Sequence, residues 1–189
     1  MTEEERRKRF EAAFRGHYQD VLAYALARAN PETAKDAAAA TFLVAWRRLD
    51  ELPEQPLAWL LGVTRRTLAG QRRTHDRHTS LIRKLASQPA AAANVPDPGA
   101  EVDAHEAVLA ALARLRPADQ ELLRLVAWEG LTNAEIAVVL GWSRPLVSVR
   151  LHRARQRFRA VLIAQDKTGP GAVKDVAPPA SCPITLEDR

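Results

Sequence analysis

The chain has one cysteine, Cys182, in 189 residues. A single thiol excludes an internal disulfide framework and a cysteine-rich zinc site, and in a stretch with no neighbouring base nothing lowers its pKa. Aromatic residues make up only 5% of the chain, so Leu, Val and Ala must fill the core. No apolar run approaches the roughly 20 residues that span a bilayer. The N-terminal MTEEERRKRFEAAF is charged and has no apolar centre of the signal-peptide kind. A cytoplasmic protein without membrane insertion is expected. There is no glycine-rich phosphate loop, nucleophile elbow or carboxylate pair at catalytic spacing. His75 and His78 lie three apart and on a helix would make half a metal site, but no clustered acid or thiol completes it. The chain is therefore read as a non-enzyme with no metal and no cofactor. No stretch alternates with period two over strand length, so the fold class is all-α.

What is present begins with charge and helical periodicity. The formal charge is +5, which favours a polyanionic partner without naming one. Phe10, Phe14, Tyr18, Val21, Leu22, Ala25 and Leu26 repeat at helical spacing, and Asn30-Pro31 breaks the run. A second helix is expected from Glu32 to about Leu49, with Ala38, Phe42, Ala45, Trp46 and Leu49 on one stripe. A third is expected from about Leu57 to Arg73. Residues 87–103 are rich in Ala, Pro, Asn, Asp and Gly, cannot bury much apolar area and read as a linker. Helices resume near His105 and again at Pro117. After Ile163 the tail is rich in Pro and Gly, lacks periodicity and reads as disordered. The division is 10–75, a linker over 76–104, a second domain over 105–162 and a tail over 163–189: two small helical domains joined by a flexible linker.

The stretch LTNAEIAVVLGWSRPLVSVRLHRARQRFR, Leu131 to Arg159, has the grammar of a helix-turn-helix. Thr132 and Glu135 form a capping-box pair. Ile136, Ala137 and Leu140 give the apolar face. Gly141 sits where the chain needs positive φ, Ser143 can cap the next helix and Pro145 falls in its first turn. Val147 and Leu151 face inward. Arg144, Ser148, Arg150, Arg153 and Arg155 are left for the outside of a helix suited to a major groove. Arg65, Arg66, Arg72, Arg73, Arg77, Arg83 and Lys84 form a second basic stretch. It reads either as a solvated helix end or as a phosphate-binding surface. Trp59 is either a core residue or a base platform. Trp46 and Trp128 read as core. Trp142 either packs under the second helix or leans on a DNA backbone.

The blocks TFLVAWRRLDELPEQPLAWLLGVTRRTLAGQRR (Thr41 to Arg73) and LARLRPADQELLRLVAWEGLTNAEIAVVLGWSR (Leu112 to Arg144), in this order, resemble the extracytoplasmic-function (ECF) group of bacterial RNA polymerase sigma factors. The resemblance implies that the chain binds core RNA polymerase, directs promoter-specific initiation and answers to an anti-sigma factor. It assigns polymerase contact to Asp36 to Arg47, with Asp36, Ala39, Ala40, Leu43 and Arg47 as the contact set. It assigns the minus-ten element to Asp50 to Arg73, with Trp59, Arg65, Arg66, Arg72 and Arg73. It assigns the minus-thirty-five element to the helix Ser143 to Arg155, with Ser143, Arg144, Pro145, Ser148, Arg150, Arg153 and Arg155. Arginine near a recognition helix's N-terminus suits bidentate bonding to guanine, which favours Arg144 for base reading. Arg150, Arg153 and Arg155 suit phosphates.

Five positions depart from the family pattern. Ala39 and Ala40 replace a polar–acidic pair, Lys35 stands at an earlier acidic position, and Pro145-Leu146 replaces smaller residues. The alternative is therefore a sigma-like helix-turn-helix regulator that no longer initiates with polymerase.

Overall fold

The computed structural model describes residues 2–83 and 101–166, with side chains described for 2–73 and 106–165. Residues 84–100 of the expected 76–104 linker, residues 167–189 of the expected 163–189 tail with Cys182, and the side chains of His75, His78, Arg77, Arg83 and Lys84 lie outside the described residues; 76–83, 101–104 and 163–166 are helical. Among the described residues the elements are α1 (Glu3–Leu26), α2 (Pro31–Arg47), a 3-10 turn (Leu49–Glu51), α3 (Leu57–Arg83), α4 (Glu101–Ala113), α5 (Pro117–Ala127), α6 (Asn133–Leu140) and α7 (Arg144–Asp166), with no strand.

Local chemistry explains the helix starts. Thr2 and Glu5 make a capping box at α1, seven residues ahead of the Phe10 start read from periodicity. The signal was the T-x-x-E spacing itself, which lies in a charged segment with no apolar stripe. At α2, Asn30 Oδ1 accepts from the Thr33 N–H at 2.9 Å and Pro31 occupies the first turn. Helix α3 runs ten residues past the expected Arg73, to Arg83, because T-H-D-R-H-T-S contains neither Gly nor Pro to stop it.

The first three helices close around Val21, Tyr24, Phe42, Leu49, Leu60 and Leu61, all buried. Phe10, Phe14, Tyr18, Phe42 and Trp46 form one aromatic cluster between α1 and α2, with Phe14 and Phe42 rings 4.8 Å apart. Thr41 and Thr64 are the buried polar pair that pins α2 to α3. Their hydroxyl oxygens are 3.0 Å apart, and each also reaches the carbonyl four residues back. Trp128 differs from the core reading. It ends α5 and is 51% exposed, with Arg124 stacked over its ring. Leu26, at the end of α1, is also exposed.

The two halves do not stand apart. Ile136, Val139 and Leu140 of α6 share one hydrophobic cluster with Leu60, Leu61 and Leu68 of α3, and α3 packs directly on α6. Gly62 makes the close approach possible. A Cβ there would lie 3.5 Å from the Val138 carbonyl oxygen and the Val139 Cα, in ordinary contact with the α6 backbone, so alanine fits. Gly62→Ala is expected to be neutral or to stabilise by ~0.5–1 kcal/mol through helix propensity. Gly62→Leu should force α6 off α3 at a cost of about 1–3 kcal/mol. Thermal unfolding of the two variants checks this; equal melting temperatures would contradict the close packing.

Candidate nucleic-acid interface

The helix-turn-helix is built by short-range rules. Thr132 Oγ1 accepts from the Glu135 N–H at 3.3 Å, while Glu135 Oε2 accepts from the Thr132 N–H at 2.8 Å. Gly141 ends α6 at φ 68° and ψ 33°, a left-handed conformation costly for any residue with a Cβ. The chain then turns into α7, with Ser143 just before it and Pro145 in its first turn. Val147, Leu151 and Ala154 are buried along one face of α7. Ser143 and, on α7, Arg144, Pro145, Ser148, Arg150, Arg153 and Arg155 are thereby presented to solvent.

Two of these side chains are already engaged. Ser148 Oγ accepts from Asn133 Nδ2 at 3.1 Å and donates to the Arg144 carbonyl at 3.3 Å, which ties α6 to α7. Arg150 stacks over the half-buried Trp142 ring, 4.4 Å from its centroid, worth about 0.5–1 kcal/mol at an exposed site. Trp142 thus packs against the core and also orients an arginine. Away from the exposed arginines, Arg157 Nη1 donates to the buried Asp119 Oδ2 at 2.8 Å and fixes α7 on α5.

In the first half, Asp36, Ala39, Leu43 and Arg47 are exposed and Ala40 is half-buried, all along one face of α2. Leu43 is the large apolar side chain there, 49% exposed. The minus-ten candidates do not form a single surface. Trp59 is half-buried against the core, Arg66, Arg72 and Arg73 are exposed, and Arg65 is half-buried. Arg65, Arg72 and Arg73 line a cavity between α1, α3 and α5, and Arg66 is outside it.

The seam between the halves carries a polar cluster. Arg28, whose side chain is 7% exposed, donates from Nε to Glu121 at 3.0 Å and from Nη1 to Glu129 at 3.3 Å. Its guanidinium lies 3.5 Å from the Tyr24 ring centroid, and the Tyr24 hydroxyl donates to Glu121 at 2.8 Å. Burial, then the negative charge of Glu121, hold the Tyr24 phenol well above its ordinary range. Burial also raises the Glu129 carboxyl, against the opposing pull of Arg28. Sequence reading missed Arg28, Glu121, Glu129 and Gly62. A glycine inside the apolar run of α3 was the one available signal.

An all-α chain with an exposed, arginine-bearing recognition helix and a second basic helical block defines a helix-turn-helix DNA-binding protein. A family model described as "Sigma-70, region 4" matches residues 105–158. The "Probable RNA polymerase sigma factor RfaY" of Xanthomonas campestris is 34% identical over 156 residues, which cover 78% of this chain and 39% of that protein. The RNA polymerase sigma factor YlaC of Bacillus subtilis is 30% identical over 158 residues, covering 81% of this chain and 91% of that one. The solved structure of the sigma factor RpoE in complex with the anti-sigma factor NepR, from Bartonella quintana, shares the fold. Its TM-score is 0.60 at 20% identity, covering 82% of this chain and 96% of that chain. The chain belongs to the RNA polymerase sigma factors, and to their ECF group.

Proposed function

We propose that this protein binds core RNA polymerase, recruits it to promoters and thereby directs initiation, acting by binding and positioning while the polymerase does the synthesis. The observation that carries the reading is the coexistence of two exposed surfaces: the arginine face of α7 and the Asp36–Arg47 face of α2. Arg144 reads a base edge in the upstream element. Arg150, Arg153 and Arg155 hold phosphates. Trp59, Arg65, Arg66, Arg72 and Arg73 serve the minus-ten element. The working unit is divided as 10–75 and 105–162, with 76–104 between them, and it acts in the cytoplasm. Among the described residues no helix is long and apolar enough to cross a membrane. A protein anti-sigma factor is a further partner, a proposal supported by the complex of RpoE with NepR.

Two-point binding requires the halves to separate. Elements named for positions ten and thirty-five lie about 25 base pairs apart, roughly 85 Å at ~3.4 Å per base pair. Helices α3 and α6, one from each half, are in direct contact. The packed arrangement is therefore the resting form, and polymerase holds the open one. A gel-shift on promoter DNA tests this, with the expected result that core polymerase plus the chain binds and the chain alone binds weakly. Tight, promoter-specific binding by the chain alone would instead favour the second reading.

That second reading, a sigma-like regulator that no longer initiates, is favoured by Ala39 and Ala40, which offer the α2 face no polar side chain. Adding charge there discriminates. Ala39→Gln with Ala40→Glu should tighten core-polymerase binding by about 1–3 kcal/mol if charge-assisted contacts are missing. Unchanged affinity in a pull-down titration would show that the face grips polymerase by other means.

A further inference from the structure

The cavity between α1, α3 and α5 has a volume of about 690 Å³ and is walled by Arg28, Arg65, Arg72, Arg73 and Arg124, with Glu121 as its carboxylate. Leu68, Ala69 and Pro117 are among its apolar lining. This size and make-up suit a small molecule held by a few convergent polar groups, not a duplex. Arg28 is balanced by Glu121 and Glu129. None of Arg65, Arg72, Arg73 and Arg124 has an ion-pair partner among the described residues. Arg72 spends one Nη2–H on the Arg28 carbonyl at 2.6 Å, and Arg73 its Nε–H on the Ala69 carbonyl at 3.2 Å. Two buried donors on this wall lack any acceptor: Nη2 of Arg28, whose side chain is more than nine-tenths buried, and Nε of Arg124. Buried guanidinium donors left without acceptors are costly, and oxyanions are the ligands whose geometry matches them.

We propose that this cavity is a binding site for a diphosphate group, carried by inorganic diphosphate or by a nucleoside diphosphate. Four guanidinium groups from two helices, none ion-paired among the described residues, offer more positive charge than a single phosphate balances. A diphosphate offers two phosphoryl groups to the arginines of both helices that line the cavity, Arg65 and Arg72 on α3 and Arg124 on α5. It would join the two halves across the seam that Arg28 already bridges. Binding would favour the packed form by its differential affinity for it. It would also occupy Arg65, Arg72 and Arg73. That consequence for promoter binding rests on the function proposed above; the binding itself does not.

The test is isothermal titration calorimetry on the full chain at fixed ionic strength, with pyrophosphate, ADP, AMP and sulfate as separate titrants. Pyrophosphate and ADP are expected to bind at least about tenfold more tightly than AMP or sulfate. Arg124→Ala should remove that preference. Arg15→Ala, which deletes one exposed charge from α1 outside the cavity, should leave it intact. Circular dichroism establishes that both variants are folded, and Arg124→Lys, which keeps the charge, should fall between wild type and Arg124→Ala. Equal affinity for all four anions, no binding of pyrophosphate, or full binding by Arg124→Ala would each overturn the assignment. Promoter binding does not enter the measurement, so its outcome is separable from the sigma-factor reading.

Discussion

Arg28→Ala is expected to open the seam between the two halves and to lower stability by up to about 3–5 kcal/mol, the range for removing one partner of a buried ion pair. Two carboxylates, at 18% and 12% side-chain exposure, would be left facing each other without their shared cation. Movement of α5 and the turn after it away from α1 admits water and relieves their repulsion and desolvation. The upper limit is set by the packing energy of the seam, because the halves can part before either unfolds. Small-angle scattering should show a larger radius of gyration, and thermal unfolding an earlier transition. Arg15→Ala, which breaks an exposed pair with Glu11, should change stability by no more than about 0.5 kcal/mol. A radius and melting temperature for Arg28→Ala equal to those of the wild type would show that Arg28 does not hold the two halves together.

The same cluster predicts a pH dependence. The Glu129 carboxyl is raised in the folded state, burial being the largest cause. A raised acid contributes stability that is fully present below its unfolded value, about 4.3, and is lost as pH rises through the folded value. Glu129→Gln should therefore remove one component of the stability loss seen as pH rises out of the carboxylate range. Stability curves of wild type and variant that run parallel across that range would contradict it.

Arg144→Ala should lower affinity for the preferred upstream element by about 1–3 kcal/mol and relax selectivity at one base position. The exposed Arg144 opens α7, one residue past Ser143, where a helix entering a major groove meets the bases. Arg153, further along, should behave differently. Its removal should weaken binding to all sequences alike and reduce the salt slope by about one. Binding titrations on a panel of single-base variants, repeated at several salt concentrations with polymerase present, separate the two. Uniform loss with Arg144→Ala would assign it to phosphate instead.

The elements legible in the sequence were those fixed by neighbours in the chain. The Thr132–Glu135 box, the Gly141 turn and the buried Val147 and Leu151 depend on spacings of three to five residues, and each is as the pattern requires. The α2 stripe of Ala38, Phe42, Ala45 and Trp46 followed from helical period in the same way; the Asp36 to Arg47 contact face came only from the family resemblance. The seam did not follow, because its contacts join residues 93 and 101 positions apart. A linker composition suggests freedom of the halves and carries no information on how they pack. Gly62 was passed over because glycine in a helix signals weakness unless its neighbour across the interface is known. Arg65 and Arg66 are adjacent in sequence and equal in charge, yet only Arg65 lines the cavity. Sequence cannot divide such a pair; the 100° step between successive helical residues does.

Trp128 marks the opposite limit. A tryptophan following Leu122, Leu123, Leu125 and Val126 reads as core, but it lies just past the last residue of α5, where the apolar stripe has run out. The Arg124 guanidinium covers its ring instead, 5.4 Å from the centroid.

The most direct test of the central claim is run-off transcription with purified core RNA polymerase, this chain and promoters from its own genome. A discrete run-off product that requires both core and chain, and is reduced by Arg144→Ala, is expected. Promoter DNA bound by the chain with no transcript above core alone would contradict it and leave a regulator that does not initiate.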